Sequence, residues 1–132
     1  LVEAKQESEY RKSGLKADVA QKAHSDLLKV MHSEKPYLNP SLTLNDLAGM
    51  VNVSVNHLSQ IINQYEQMNF HDFVNKYRVQ EFIERARKNS HFSILANALE
   101  SGFNSKSSFN AVFKKHFEIS PSKYLAGEKL TA

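Results

Sequence analysis

Three observations predict an all-α fold, built as two helix-turn-helix subdomains joined by a long bridging helix. Apolar residues recur at helical spacing nearly throughout, and no stretch sustains the period-two alternation of a strand. Only 4 glycines and 3 prolines punctuate the 132 residues. One stretch also occurs twice, residues 42–73 resembling residues 93–124. Leu44 pairs with Ile94, Ala48 with Ala98 and Val53 with Phe103; after a one-residue insertion Leu58 pairs with Phe109, Ile62 with Phe113 and Phe73 with Tyr124. Each copy has a short helix, a tight turn and a longer helix with apolar positions four apart, the pattern of a helix-turn-helix.

Taken in order, residues 1–12 are mostly polar, with Val2 and Tyr10 among their few bulky anchors. They read as a helical connector ending at Ser13-Gly14. Because Leu1 is not Met, the chain is expected to be a piece of a longer protein. Ala20, Ala23, Leu27, Val30 and Met31 mark one face of a helix over 18–34, which must stop before Pro36. Thr43 with Asp46 resembles a capping box opening a helix over 44–51, and Ser54 can cap another over 55–65. Asn69 can cap a helix over 70–88. Ser93 opens a short helix that Gly102 breaks, Ser105 caps one running to Phe117, and Ser120-Pro121 starts a last turn with proline at the first helical position.

The helix over 70–88 has two opposed apolar stripes. Phe70, Phe73, Val74 and Tyr77 fall on one side, and Val79, Phe82, Ile83 and Ala86 on the other. Two cores satisfy that pattern, which sets the expected organisation of 15–132: a first unit over 18–77, the bridging helix over 70–88 and a second unit over 79–126. At ~1.5 Å per residue such a bridge spans roughly 28 Å, comparable with the ~34 Å of one DNA turn. A single helical bundle around a buried central helix is the alternative.

Composition narrows the function. The formal charge of +3, from 17 Lys+Arg against 14 Asp+Glu, permits a polyanionic partner. It is uneven: residues 42–66 contain no Lys or Arg, whereas 101–123 hold Lys106, Lys114, Lys115 and Lys123 against Glu118 alone. Lys76, Arg78, Arg85, Arg87 and Lys88 form a second basic group, diluted by Glu81 and Glu84. With no cysteine, thiolate catalysis, disulfides and Cys-ligated metals are excluded. The histidines (24, 32, 57, 71, 91 and 116) make no H-x-x-x-H or H-E-x-x-H pair, and no G-x-S-x-G or P-loop is present. No enzyme, cofactor or metal is therefore expected, and no apolar run is long enough to span a bilayer.

The second repeat, GFNSKSSFNAVFKKHFEISPSKY, and the first, LTLNDLAGMVNVSVNHLSQIIN followed by NFHDFVNKYR, resemble the tandem helix-turn-helix DNA-binding domain of AraC-type bacterial transcription regulators. The resemblance covers Asp18 to Tyr124. YRKSGL and KPYLNP also resemble a subgroup in which the domain follows a sensory or membrane-embedded region. The resemblance implies sequence-specific binding of double-stranded DNA and transcription regulation, as the cytoplasmic output domain of a longer protein. Implied partners are DNA, the transcription machinery and that upstream sensory or dimerisation region, with no small-molecule ligand in this piece. Carried over by position, Asn56, His57, Ser59 and Gln60 would face base edges from the first unit, with Asn63 toward the flank. Lys106, Ser107, Asn110 and Ala111 would do so from the second. Ser54, Ser105, Lys114, Lys115 and Lys123 would meet phosphates.

Three positions depart from the family pattern. Gln67 and Glu118 stand where glycine usually ends each recognition helix, in a left-handed conformation costing other residues ~1 kcal/mol. Asn97 stands where the repeat partner is Leu47, so either it finds hydrogen-bond partners, or it loosens the second unit, or its helix rolls to bring it to water. The rival reading is a helix-turn-helix-shaped protein-interaction module that has lost DNA binding.

Overall fold

Seven α-helices and one 3-10 turn, with no strand, make up the described residues 14–127 of the computed structural model. They are α1 (Ala17–Ser33), the 3-10 turn (Pro36–Leu38), α2 (Leu44–Met50), α3 (Val55–Glu66), α4 (Phe70–Lys88), α5 (Ile94–Glu100), α6 (Lys106–Phe117) and α7 (Pro121–Leu125). Apart from Gly14, the expected connector over 1–14 lies outside the described residues. Polar side chains start the helices where the sequence places them. Thr43 and Asp46 form a reciprocal capping box, each side chain taking the other's backbone N–H at 3.0 and 3.1 Å. Ser54, Asn69, Ser93, Ser105 and Ser120 each accept the N–H three residues on. Caps of this kind stabilise a helix by ~1 kcal/mol each.

The chain divides into two units, and the first is discontinuous. Among the described residues it comprises 14–36 and 41–73; the second comprises 37–40 and 74–127. In the first unit α1 and α2 both pack on α3. Leu15, Ala20, Ala23 and Ile61 form one buried cluster, and Leu27, Leu47, Leu58, Ile62 and Phe73 are fully buried. A polar contact joins α1 to α3: His24 Nε2 lies 2.6 Å from the Glu66 carboxylate while its ring stacks 4.5 Å from Tyr65.

The second unit is held by aromatic rings. Phe82 from α4 packs against Phe109 and Phe113 of α6 with centroids 4.6 and 5.8 Å away, and Phe103 meets Phe109 at 5.2 Å. Residues 37–40 are clasped onto this unit by α4. Arg78 donates through Nε to the Tyr37 carbonyl at 2.8 Å and through Nη2 to the Asn39 carbonyl at 2.9 Å. The Tyr37 ring stacks on Tyr77 at 5.5 Å, and its hydroxyl donates to Glu81, whose other oxygen takes Arg85 Nε at 2.7 Å. Burial, reinforced by the Glu81 charge, pushes the Tyr37 phenol well above its ordinary range, and burial lowers the Arg78 pKa.

This clasp shifts the unit boundary from where apolar periodicity sets it. Val74 and Tyr77 group with the second unit, and the division falls between Phe73 and Val74 instead of at 77–79. The physical reason is that 37–40 supplies the surface on which Tyr77 stacks, a partner no period within α4 can reveal.

The repeat is visible in backbone detail. The Val53 N–H donates to Ala48 O at 3.1 Å, as that of Phe103 does to Ala98 O at 3.2 Å. Asn52 (φ 57) and Gly102 (φ 102) turn the chain at matching places, and Gln67 (φ 55) and Glu118 (φ 62) end α3 and α6 in the expected left-handed conformation. The Gln67 side chain offsets part of that strain by donating to Gln64 O at 2.7 Å.

Asn97 is 3% exposed, so its helix is not rolled toward water, and its amide finds partners in the Asn89 and Ser93 carbonyls, both at 3.3 Å. Those carbonyls already accept the N–H groups of Phe92 (3.0 Å) and of Asn97 itself (3.1 Å), so removing the amide orphans neither. Asn97→Leu is therefore expected to stabilise the protein by about 1 kcal/mol, because aliphatic burial outweighs two long, redundant bonds. Urea denaturation checks this, and a lowered midpoint would mean that the amide contributes more than a leucine in its place.

Candidate nucleic-acid interface

The second helix of each helix-turn-helix is the one whose outer face can enter a groove. In α3, Leu58, Ile61 and Ile62 point inward. Opposite them Asn56 is exposed, whereas His57, Ser59 and Gln60 are half-buried. Asn63 is exposed, but its amide donates to the Ser59 carbonyl at 3.0 Å, turned back on its own helix. In α6, Phe109 and Phe113 face the core, and Lys106, Ser107, Asn110, Ala111, Lys114 and Lys115 are all exposed. Lys123, on α7, is exposed as well.

Two clefts in the second unit meet at the Ser120–Pro121 corner. One, of about 430 Å³, is lined by Asn110, Lys114, Glu118, Ile119, Lys123 and the corner itself. The other, of about 350 Å³, is lined by Lys106, Asn110, Ile94, Leu95, Phe109 and Ser122 beside the same corner. Lys106, Asn110, Lys114 and Lys123 are thus brought around one corner, while Ser107, Ala111 and Lys115 line neither cleft. Glu118 places a carboxylate among those ammonium groups, a local repulsion toward any anion. The hydroxyls of Ser120 and Ser122, 3.3 Å apart, also stand there. Sequence reasoning assigned Ser120 only as a cap and missed Ser122; a Ser-Pro-Ser run beginning a helix next to Lys123 was the available signal.

The caps bear on anion binding too. Ser54 and Ser105 satisfy the N–H groups of His57 and Ser108, leaving the N–H groups ahead of them directed out of the ends of α3 and α6. Two members of the basic group on α4 are differently employed, Arg78 on carbonyls and Arg85 on Glu81, while Arg87 and Lys88 are exposed. Among the described residues no three His, Asp or Glu side chains converge as metal ligands, and no helix is long and apolar enough to cross a membrane.

Comparison with known proteins agrees with the helix-turn-helix fold. A family described as a helix-turn-helix domain matches residues 47–127, more than half of the chain. A Proteus vulgaris protein named Probable transcription factor PqrA is 28% identical over 106 residues, covering 80% of this chain and 85% of that protein. The solved C-terminal domain of AraT, a response regulator from Geobacillus stearothermophilus, superposes with a TM-score of 0.66 at 24% identity, over 86% of this chain and 88% of that one. A Listeria innocua protein of unknown function gives the same TM-score at 21% identity, over 80% of this chain and 96% of its own. The chain belongs to the AraC-type helix-turn-helix family of DNA-binding transcription regulators.

Proposed function

We propose that the chain recognises a specific double-stranded DNA sequence through the outer faces of α3 and α6 and acts as the DNA-binding output of a transcription regulator. The observation that carries this is the exposed corner of α6 and α7, where Lys106 and Lys114 of α6 and Lys123 of α7 line the clefts that Asn110 shares beside Ser120 and Pro121. Cations at the rim of a helix with uncommitted polar groups suit phosphate anchoring around base readout. The α3 face has no cation, so its part is discrimination through Asn56, Ser59 and Gln60, with His57 beside them. The second unit anchors through Lys114, Lys115 and Lys123, and the open helix starts at Ser54 and Ser105 add backbone donors.

The output role is supported by the likeness to the C-terminal domain of a response regulator. An upstream sensory or dimerisation region and the transcription machinery are the corresponding partners. With few cationic contacts, one copy holds DNA modestly, and joining two copies makes the second binding event intramolecular, raising avidity by ~10²–10⁴.

The experiment is a salt titration of binding to duplex DNA. Lys114→Ala and Lys115→Ala are each expected to weaken all sequences about equally and to flatten the slope of log K against log salt by about one unit. Gln60→Ala should instead change preference at one base pair by ~1–3 kcal/mol. Unchanged affinity and slope in both lysine variants would overturn the proposed division, and salt-independent binding would favour the protein-interaction reading.

A further inference from the structure

The outer faces of α3 and α6 carry a chemistry narrower than DNA binding in general. Three carboxamides, Asn56 and Gln60 on α3 and Asn110 on α6, make no hydrogen bond to any described residue, so donor and acceptor stay open on each. A carboxamide sets one donor beside one acceptor. Adenine offers the complement in the major groove, the N6 donor beside the N7 acceptor. Guanine offers two acceptors, O6 and N7, which a guanidinium or ammonium group meets with donors alone, whereas a carboxamide laid across them sets its own oxygen against an acceptor.

Neither α3 nor α6 contains arginine, and α3 contains no lysine. The three arginines of the second unit, Arg78, Arg85 and Arg87, lie on α4, with the heads of Arg78 and Arg85 hydrogen-bonded within the unit and that of Arg87 6.0 Å from the centre of the Tyr124 ring. On α6 the lysines stand at its ends, Lys106 at the first position and Lys114 and Lys115 in the last turn. Its exposed middle is Asn110 followed by Ala111, an amide next to a bare methyl. A methyl at that position has one favourable partner at base edges, the C5-methyl of thymine. An adenine under Asn110 and a thymine methyl under Ala111 are met by neighbouring A·T pairs.

Resting on the proposed DNA recognition, we infer that the cognate site is composed of A·T pairs where Asn56, Gln60, Asn110 and Ala111 meet it, with guanine readout confined to the pair facing Lys106. Selection is by major-groove edges. A narrow A-tract minor groove, which also favours A·T sequences, attracts cations by its negative potential, and the neutral amides here gain nothing from that potential.

The test begins with selection of duplexes from a random library by the intact chain. Its closest winners are then remade with 7-deazaadenine at each adenine and with deoxyuridine at each thymine. The first removes the N7 acceptor and the second removes the methyl, and both keep Watson–Crick pairing. Selected sites should be A·T at the contacted positions, and 7-deazaadenine should weaken binding roughly 5- to 150-fold at the adenine facing Asn110. Asn110→Ala should abolish that sensitivity while preserving sensitivity at the adenines facing α3, which also shows that the variant is folded. Deoxyuridine should weaken binding at the thymine facing Ala111. Selected sites with G·C pairs at these positions, or indifference to 7-deazaadenine, overturn the inference while leaving DNA recognition intact. A library that yields no enriched sequence overturns the DNA-recognition proposal itself.

Discussion

Gly102→Ala is expected to destabilise the second unit by about 3 kcal/mol or more, the combined cost of a strained backbone and a collision. The φ of Gly102 is +102°, and a Cβ there would sit 2.1 Å from the Tyr37 carbonyl oxygen and 2.9 Å from Arg78 Nε. Neither neighbour can withdraw freely, because Arg78 Nε holds that same oxygen at 2.8 Å and Tyr37 is 4% exposed. The matching turn in the first unit has Asn52 at φ 57, so the glycine answers the clasp and not the turn alone. Gly49→Ala is the control: a Cβ there meets nothing within 4 Å, and the helix should gain ~0.5–1 kcal/mol. Urea denaturation of the two variants measures the contrast. A wild-type midpoint for Gly102→Ala would mean that residues 37–40 do not press on that turn.

Phe82→Ala should cost ~3–5 kcal/mol, since a fully buried ring that touches Phe109 and Phe113 leaves a cavity bounded by other rings. Amide hydrogen exchange is expected to accelerate in α5 and α6 and much less in α1 to α3. Tyr77→Ala should act in the same unit with a smaller loss, because Tyr77 is half-buried and its ring partner is Tyr37. Equal acceleration throughout the chain for Phe82→Ala would show that the two units open as one.

Much of this fold was legible because its determinants are local. Thr43-Asp46, Ser54, Asn69, Ser93, Ser105 and Ser120 each act within a single turn, and the paired apolar positions of the two repeats recur at fixed spacing. The clasp was illegible for the opposite reason. Tyr37 and Arg78 meet across 41 residues through backbone carbonyls, which every residue possesses and no pattern distinguishes. Arg78 accordingly read as one member of the basic group over Lys76–Lys88. The His24–Glu66 pair, 42 residues apart, was hidden in the same way. For the candidate interface, the family resemblance implied Lys106, Ser107, Asn110 and Ala111, and these residues are exposed on α6. Period does not report how far a side chain is covered, so the half-burial of His57, Ser59 and Gln60 and the inward turn of the Asn63 amide emerged only with the coordinates.

The insertion of residues 37–40 between two parts of the first unit also has a consequence for synthesis on the ribosome. The first unit is complete in sequence once Phe73 has emerged, and it can close then around α1, α2 and α3. Residues 37–40 must stay undocked meanwhile, because Arg78 and the turn at Gly102 come later in the chain. At ~5–20 residues per second that interval lasts on the order of seconds, far longer than the microseconds in which a helix forms. Tyr37, a buried ring in the finished protein, spends those seconds without its pocket, which makes the nascent chain most vulnerable to misassociation between the completion of the first unit and the arrival of Gly102.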